Sequence, residues 1–169
     1  MCDDARMASG RVRDLKALLD QLAASVEWDD RTAAEDRALR NEAIGRFIAG
    51  GAPLLDEATP FLWAYYRHTA AELTFEERAR YGIPEIPGSA DIWEHVQFAH
   101  GPEWCPGGGP LMPGRSYLSF EGEVSWEPEH GLQLVYEDGQ RVCKIGPYDG
   151  HVTVAHAYGD PSLLGTVFG

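Results

Sequence analysis

Two short segments hold most of the side chains that could do chemistry. Residues 126–131 read WEPEHG and carry Glu127, Glu129 and His130; residues 147–151 read PYDGH and carry Tyr148, Asp149 and His151. Carboxylates and imidazoles gathered in one place can bind a divalent cation or exchange protons near neutral pH. Glu127, Glu129, His130, Asp149 and His151 are thus weak metal-ligand candidates, and with Trp126 and Tyr148 they form a candidate binding surface or structural clasp. Plain structural readings compete with this. Glu127 and Glu129 flank Pro128 in a turn, Asp149-Gly150 is an ordinary turn dipeptide, and Trp126 can simply cap a core. A structural role is the first reading, a binding surface the second, and a catalytic or metal site the third.

A sheet has to bring the two segments together. Asp138-Gly139 is a two-residue hairpin signal that pairs Glu137 with Gln140, Leu134 with Cys143 and Leu132 with Ile145. The loop 147–150 then pairs Gly146 with His151, so Val152 and Val154 continue as a strand. The loop 126–130 pairs Ser125 with Gly131 and puts Val124, Phe120 and Leu118 on the same face. The opposite face carries Ser119, Glu121, Glu123, Ser125, Gln133, Lys144 and Thr153, with Val135 and Val142 as exceptions. In this register the two chemical segments leave neighbouring strands at one end, about 4.8 Å apart. Side-chain parity puts His130 on the core side and His151 on the other.

Helices precede the sheet. Val12, Leu15, Leu18, Leu19, Leu22 and Val26 form one apolar stripe. A second helix opens at a Thr32/Glu35 capping box, buries Leu39, Ala43, Ile44, Phe47 and Ile48, and stops at Gly50-Gly51. A third opens at Thr59-Pro60 and buries Phe61, Leu62, Tyr65, Tyr66, Thr69 and Leu73; Trp63, Tyr65 and Tyr66 read as core rather than as a ligand platform. Thr74 and Glu77 cap a further turn to about Tyr81, which Gly82 and Pro84 end. Residues 91–100 form a helical turn and a short strand, and 101–115 a loop long enough to be mobile or functional. The expected fold is α+β, with about three helices packed on one face of an antiparallel β-meander of four or five strands. The expected organisation is a single domain over 1–169: helices in 11–81, sheet in 91–157, and a tail in 158–169.

Charge and cysteine usage narrow the function. The net charge is −13. Residues 1–80 hold 11 basic and 15 acidic side chains and residues 81–169 hold 3 and 12, so the second half alone carries −9. Such a field repels nucleic acid and anionic lipid and attracts basic proteins. Cys2, Cys105 and Cys143 are odd in number and lack CxxC spacing, which argues against a disulfide framework or zinc ribbon. The acidic start is no signal peptide, no apolar run spans a bilayer, and cytoplasm is the default. His95 and His100 are minor ligand candidates. Gly107-Gly108-Gly109 lacks a phosphate-loop context, Cys105 has no basic neighbour to activate it, and the common hydrolase and metalloprotease motifs are missing. No cofactor is implied, and the reading leans away from an enzyme.

The segments 82–86 (GIPEI), 92–96 (IWEHV), 126–133 (WEPEHGLQ) and 146–151 (GPYDGH) together resemble a bacterial family of uncharacterised domains with a WEPEHGLQ…GPYDGH signature. The resemblance covers roughly residues 60–155, and the stretch up to about Pro53 lies outside it. It implies a protein-binding role like that of toxin-immunity proteins, with a basic partner. The alternatives are a divalent-metal module or metal-dependent enzyme built on the WEPEH/YDGH cluster, and a structural subunit of a larger assembly.

Overall fold

The computed structural model describes residues 34–98 and 101–168. The stripe from Val12 to Val26, the Thr32 cap and His100 lie outside them. Helix α1 (Ala34–Gly50) buries Arg40, Ala43, Ile44 and Phe47, a stripe at helical spacing. Gly51, at φ 57°, ends it and starts α2 (Ala52–Glu72) in the next residue. This corrects the expected start at Thr59. Pro53 occupies the first turn of α2, where a missing N–H costs nothing, while Pro60 sits inside the helix, where it removes the bond to the carbonyl four residues back. Short α3 (Phe75–Tyr81) has the expected Thr74/Glu77 capping box and closes on left-handed Gly82.

The sheet is antiparallel and has five strands: β1 (Val96–Phe98), β2 (Glu103–Pro106), β3 (Ser116–Val124), β4 (Leu132–Glu137) and β5 (Arg141–Gly146). Strands β3, β4 and β5 form the meander. The nine-residue β3 is long enough for β1 and β2 to share its free edge, β1 against Gly122–Val124 and β2 against Ser116–Ser119. β2 lies in the stretch expected to be loop, so that expectation is corrected.

The register also departs from the expected one. β3 pairs Phe120 with Leu134 and Gly122 with Leu132, two residues away from the Ser125–Gly131 register. In the β4–β5 hairpin Glu137 faces Arg141 and Leu134 faces Ile145, with a bulge between. The total slip is again two. A two-residue slip keeps every side chain on its face, so Leu118, Phe120, Val124, Leu132, Leu134 and Ile145 all reach the main core as expected. In the β4–β5 hairpin the total is made of two one-residue slips, one at the tip, where Glu137 faces Arg141 in place of Gln140, and one at the bulge; parity is reversed between them, so Val142 reaches the main core and Cys143 the opposite face, the reverse of the expectation.

Helix α1 packs on β3 and α2 on β5. Phe47 stacks within 5.0 Å of Phe120 and 4.9 Å of Tyr136, measured between ring centroids. Two phenols tie α2 to the sheet: Tyr136 donates to the Leu54 carbonyl and Tyr65 to the Gly131 carbonyl, both at 2.8 Å.

The other face is not simply solvated. Tyr117, Val135 and Val152 form a second small core there with Cys105, Met112 and Cys143, and Ser119, Gln133, Lys144 and Thr153 are buried with them. The segment after β5 makes this cover. It is not the expected strand: Thr153 caps helix α4 (Val154–Tyr158) by accepting from the His156 N–H, and left-handed Gly159 ends it. A cap at one end and a glycine at the other outweigh the Val152/Val154 alternation. The chain then returns along β5, where the Val167 carbonyl accepts from the Ile145 N–H at 2.7 Å.

Candidate functional site

The WEPEHG turn is built from within. The Glu127 carboxylate accepts from the backbone N–H groups of Glu129 (3.1 Å) and His130 (3.3 Å), and the Glu127 carbonyl accepts from Gly131 (3.0 Å). Gly131 turns at φ 60°, and a Cβ there would lie 2.5 Å from the Gly122 carbonyl, so the turn needs glycine. Trp126 is fully buried and meets Tyr65 and Tyr66 edge-on at 5.9 and 5.7 Å. Its indole N–H has no acceptor among the described residues. Burial, then the nearby Glu127 charge, pushes the Tyr65 phenol up. The side chains of Glu129 and His130 are exposed, which corrects the core-side placement of His130.

The second segment does come to the first. The Tyr148 N–H donates to the His130 carbonyl at 3.1 Å. The imidazole–carboxylate contacts, however, stay within each segment: His130 Nδ1 lies 3.4 Å from Glu127, and His151 Nδ1 lies 3.3 Å from Asp149. Among the described residues no group of three or more His, Cys, Asp or Glu side chains is placed to hold a metal ion. His95 bonds Ser125 Oγ through Nδ1 at 2.9 Å. The Cys143 thiol is pushed up to about 12, by burial first and then by Glu137, and burial and Glu103 also raise Cys105. Neither is a thiolate at neutral pH.

Lys144 stands on the face of the sheet expected to be polar, but it is buried there. Its side chain is 5% exposed. Its ammonium donates to Gln133 Oε1 at 3.1 Å, to the His151 carbonyl at 2.9 Å and to Asp149 Oδ1, which uses all three of its N–H bonds. Gln133 passes the chain on to Ser119 Oγ at 2.9 Å. Asp149 also accepts from the His151 N–H at 2.8 Å. Partial burial pushes the Asp149 carboxyl up, but the Lys144 bond and the His151 N–H outweigh it and hold the group below its ordinary value. Burial works to lower Lys144, against the pull of Asp149. The His156 ring packs edge-on to His151 at 4.7 Å, and burial followed by the charges of His151 and Lys144 lowers its pKa. The available signal was an isolated lysine beside Gln133 on a face that something else had to cover, because a buried ammonium needs partners.

Two cavities flank these features. One of about 480 Å3 lies along the hairpin half of β5, between Glu57, Phe61, Glu137, Val142, Cys143 and Val167. The other, about 290 Å3, lies where the WEPEH turn meets α2 and α3, with Glu72, Tyr81, Ile83, Trp126, Glu127 and Glu129 in its wall. No helix among the described residues is long and apolar enough to cross a membrane.

Neither a curated protein nor a solved structure is significantly similar to this chain. A family match does exist, over residues 11–152, and it takes in the N-terminal stretch that the motif resemblance left out. The chain belongs to the family described as the domain of unknown function DUF6985.

Proposed function

We propose that this chain is a non-enzymatic, acidic protein-binding module that engages a basic protein partner, in the manner of a toxin-immunity protein, and that it does so in the cytoplasm. The observation that carries this reading is the fate of the charges in residues 81–169. Of the three basic side chains there, Lys144 is spent on Asp149 and Arg141 on Glu137. Glu94, Glu103, Glu121, Glu123 and Glu129 are meanwhile exposed. Tyr148 is exposed as well, next in sequence to Asp149. An outward negative field beside exposed tyrosines steers a basic partner and gives it anchor points.

Within the two motif segments the Glu127 and Asp149 carboxylates are used on backbone N–H groups and, for Asp149, on Lys144, which suits a scaffold for a surface better than a proton-transfer site. The test is retention from native lysate at low salt on the immobilised chain. The expected result is a stoichiometric basic protein that is released as ionic strength rises. If no stoichiometric protein is retained, or if retention does not respond to salt, the reading fails.

A further inference from the structure

Four groups that can carry charge meet under the C-terminal cover: Lys144 from β5, Asp149 and His151 from the loop after it, and His156 from α4. The two imidazoles stand edge-on, with ring centroids 4.7 Å apart. Both Nδ1 atoms are buried and make no hydrogen bond among the described residues. His151 Nδ1 has Asp149 3.3 Å away, but that carboxylate already accepts from the Lys144 ammonium and the His151 N–H. Neutral rings suit the place, because each can carry its one proton on Nε2 and leave Nδ1 bare. An imidazolium must add a proton at Nδ1, and for His156 that donor would be buried without an acceptor. Burial, then the charges of His151 and Lys144, oppose that proton on His156, and Asp149 offsets them only in part. Asp160, the nearest carboxylate along the chain from His156, is used on the Ser162 N–H.

The segment that carries His156 is lightly held. α4 has five residues, of which Val154 and Ala155 are buried. Thr153 Oγ1 ties its start to the Leu111 carbonyl at 2.8 Å, and left-handed Gly159 at its end has open space where a Cβ would stand. We propose that α4 is an acid-released latch: protons taken up by the facing rings of His151 and His156 put two imidazolium charges beside the Lys144 ammonium, with one carboxylate among them, and α4 lifts from the outer face of the sheet while the strands stay paired. Release uncovers one side of the second small core of Tyr117, Val135 and Val152. The latch goes beyond the partner-binding reading and does not depend on it.

The test is amide hydrogen exchange, with each rate divided by the intrinsic rate at its pH. The Ala157 N–H, bonded to the Thr153 carbonyl, and the Asp160 N–H, bonded to the Ala155 carbonyl, report the opening of α4. Their protection should fall about tenfold between about pH 7.5 and pH 5, because the open form takes up its proton near 6.5 and the closed form only below that. At the lower pH it should also be indifferent to urea below the unfolding transition, whereas the amides of β4 should lose protection as urea rises, since local opening exposes little surface. His156→Phe keeps a ring against His151 and cannot be protonated, and His156→Gln is a polar, neutral alternative. Each should remove most of the fall at an unchanged urea response of β4. If the fall persists in both variants, or if the α4 amides share the protection and urea dependence of β4 at the lower pH, α4 opens only with the whole molecule and the latch is overturned.

Discussion

Lys144 is one of only two lysines in the chain, and it is buried. A buried ammonium is tolerated only when its donors are used, and here a glutamine oxygen, a backbone carbonyl and a carboxylate use them. The result is mechanical: one side chain of β5 fixes the loop 147–151 onto the outer face of the sheet, which in turn brings Tyr148 to the His130 carbonyl. Replacing it with methionine keeps the unbranched stem, one atom shorter, and removes the bonds. Gln133 Oε1 and the His151 carbonyl then lose their donor. Lys144→Met is expected to lower unfolding free energy by about 1.5–3 kcal/mol, read as a shift of the urea midpoint at unchanged slope. A midpoint equal to wild type would show that the ammonium contributes nothing net.

At the scale of elements, the hairpin tip is the closest approach to neighbouring backbone made by any glycine among the described residues. Asp138 and Gly139 both have positive φ, 49° and 68°, as a two-residue turn requires. Asp138 also accepts from the Ser116 N–H at 3.1 Å, which anchors the tip to the start of β3. A Cβ on Gly139 would fall 1.9 Å from the Ala43 carbonyl of α1. Gly150 shares the left-handed backbone, at φ 77°, but has open space around it. Gly139→Ala should therefore cost markedly more than Gly150→Ala, at least about 3 kcal/mol against about 1 kcal/mol, since only the first adds a backbone collision to the conformational strain. Equal denaturation midpoints for the two variants would mean that α1 can move away from the tip freely.

This joint also explains how far the sequence could be read. Asp138-Gly139 announced the turn, and the strand alternation fixed the faces, because both pairing errors were slips of two residues. The one-residue slips at the tip and at the bulge near Cys143 have no local signature, so Val142 and Cys143 lie on the sides opposite to those expected. The stretch from Val152 to Val154 alternates like a strand, and only the Thr153 cap and Gly159 mark it as a helix. The convergence of the two motif segments was legible from turn positions. The role of Lys144 was not, because it depends on a cover that the alternation had assigned to the sheet itself.

The molecule as a whole carries −13, and one patch of it responds to acid in the opposite sense from that self-repulsion. As pH falls, protonation of surface carboxylates relieves self-repulsion and favours the fold. Under the C-terminal cover, Lys144, Asp149, His151 and His156 face one another, and His156 is held below its ordinary value by burial and by the charges of His151 and Lys144. The unfolded chain therefore takes up a proton on this histidine at higher pH than the folded chain does. The stability linked to it is fully present above about 6.5, the unfolded value, and is lost as pH falls from there toward the folded value. Asp149 is also depressed in the fold, and its contribution is lost only below about 3.9. Few carboxylates titrate between pH 7 and 5, so His156 should dominate the difference between wild type and a neutral variant in that window. His156→Gln should flatten the fall in Tm from pH 7 to 5 while leaving the steeper loss below pH 4. Parallel Tm curves for the two proteins across pH 3–8 would show that protonation of His156 is not opposed in the fold.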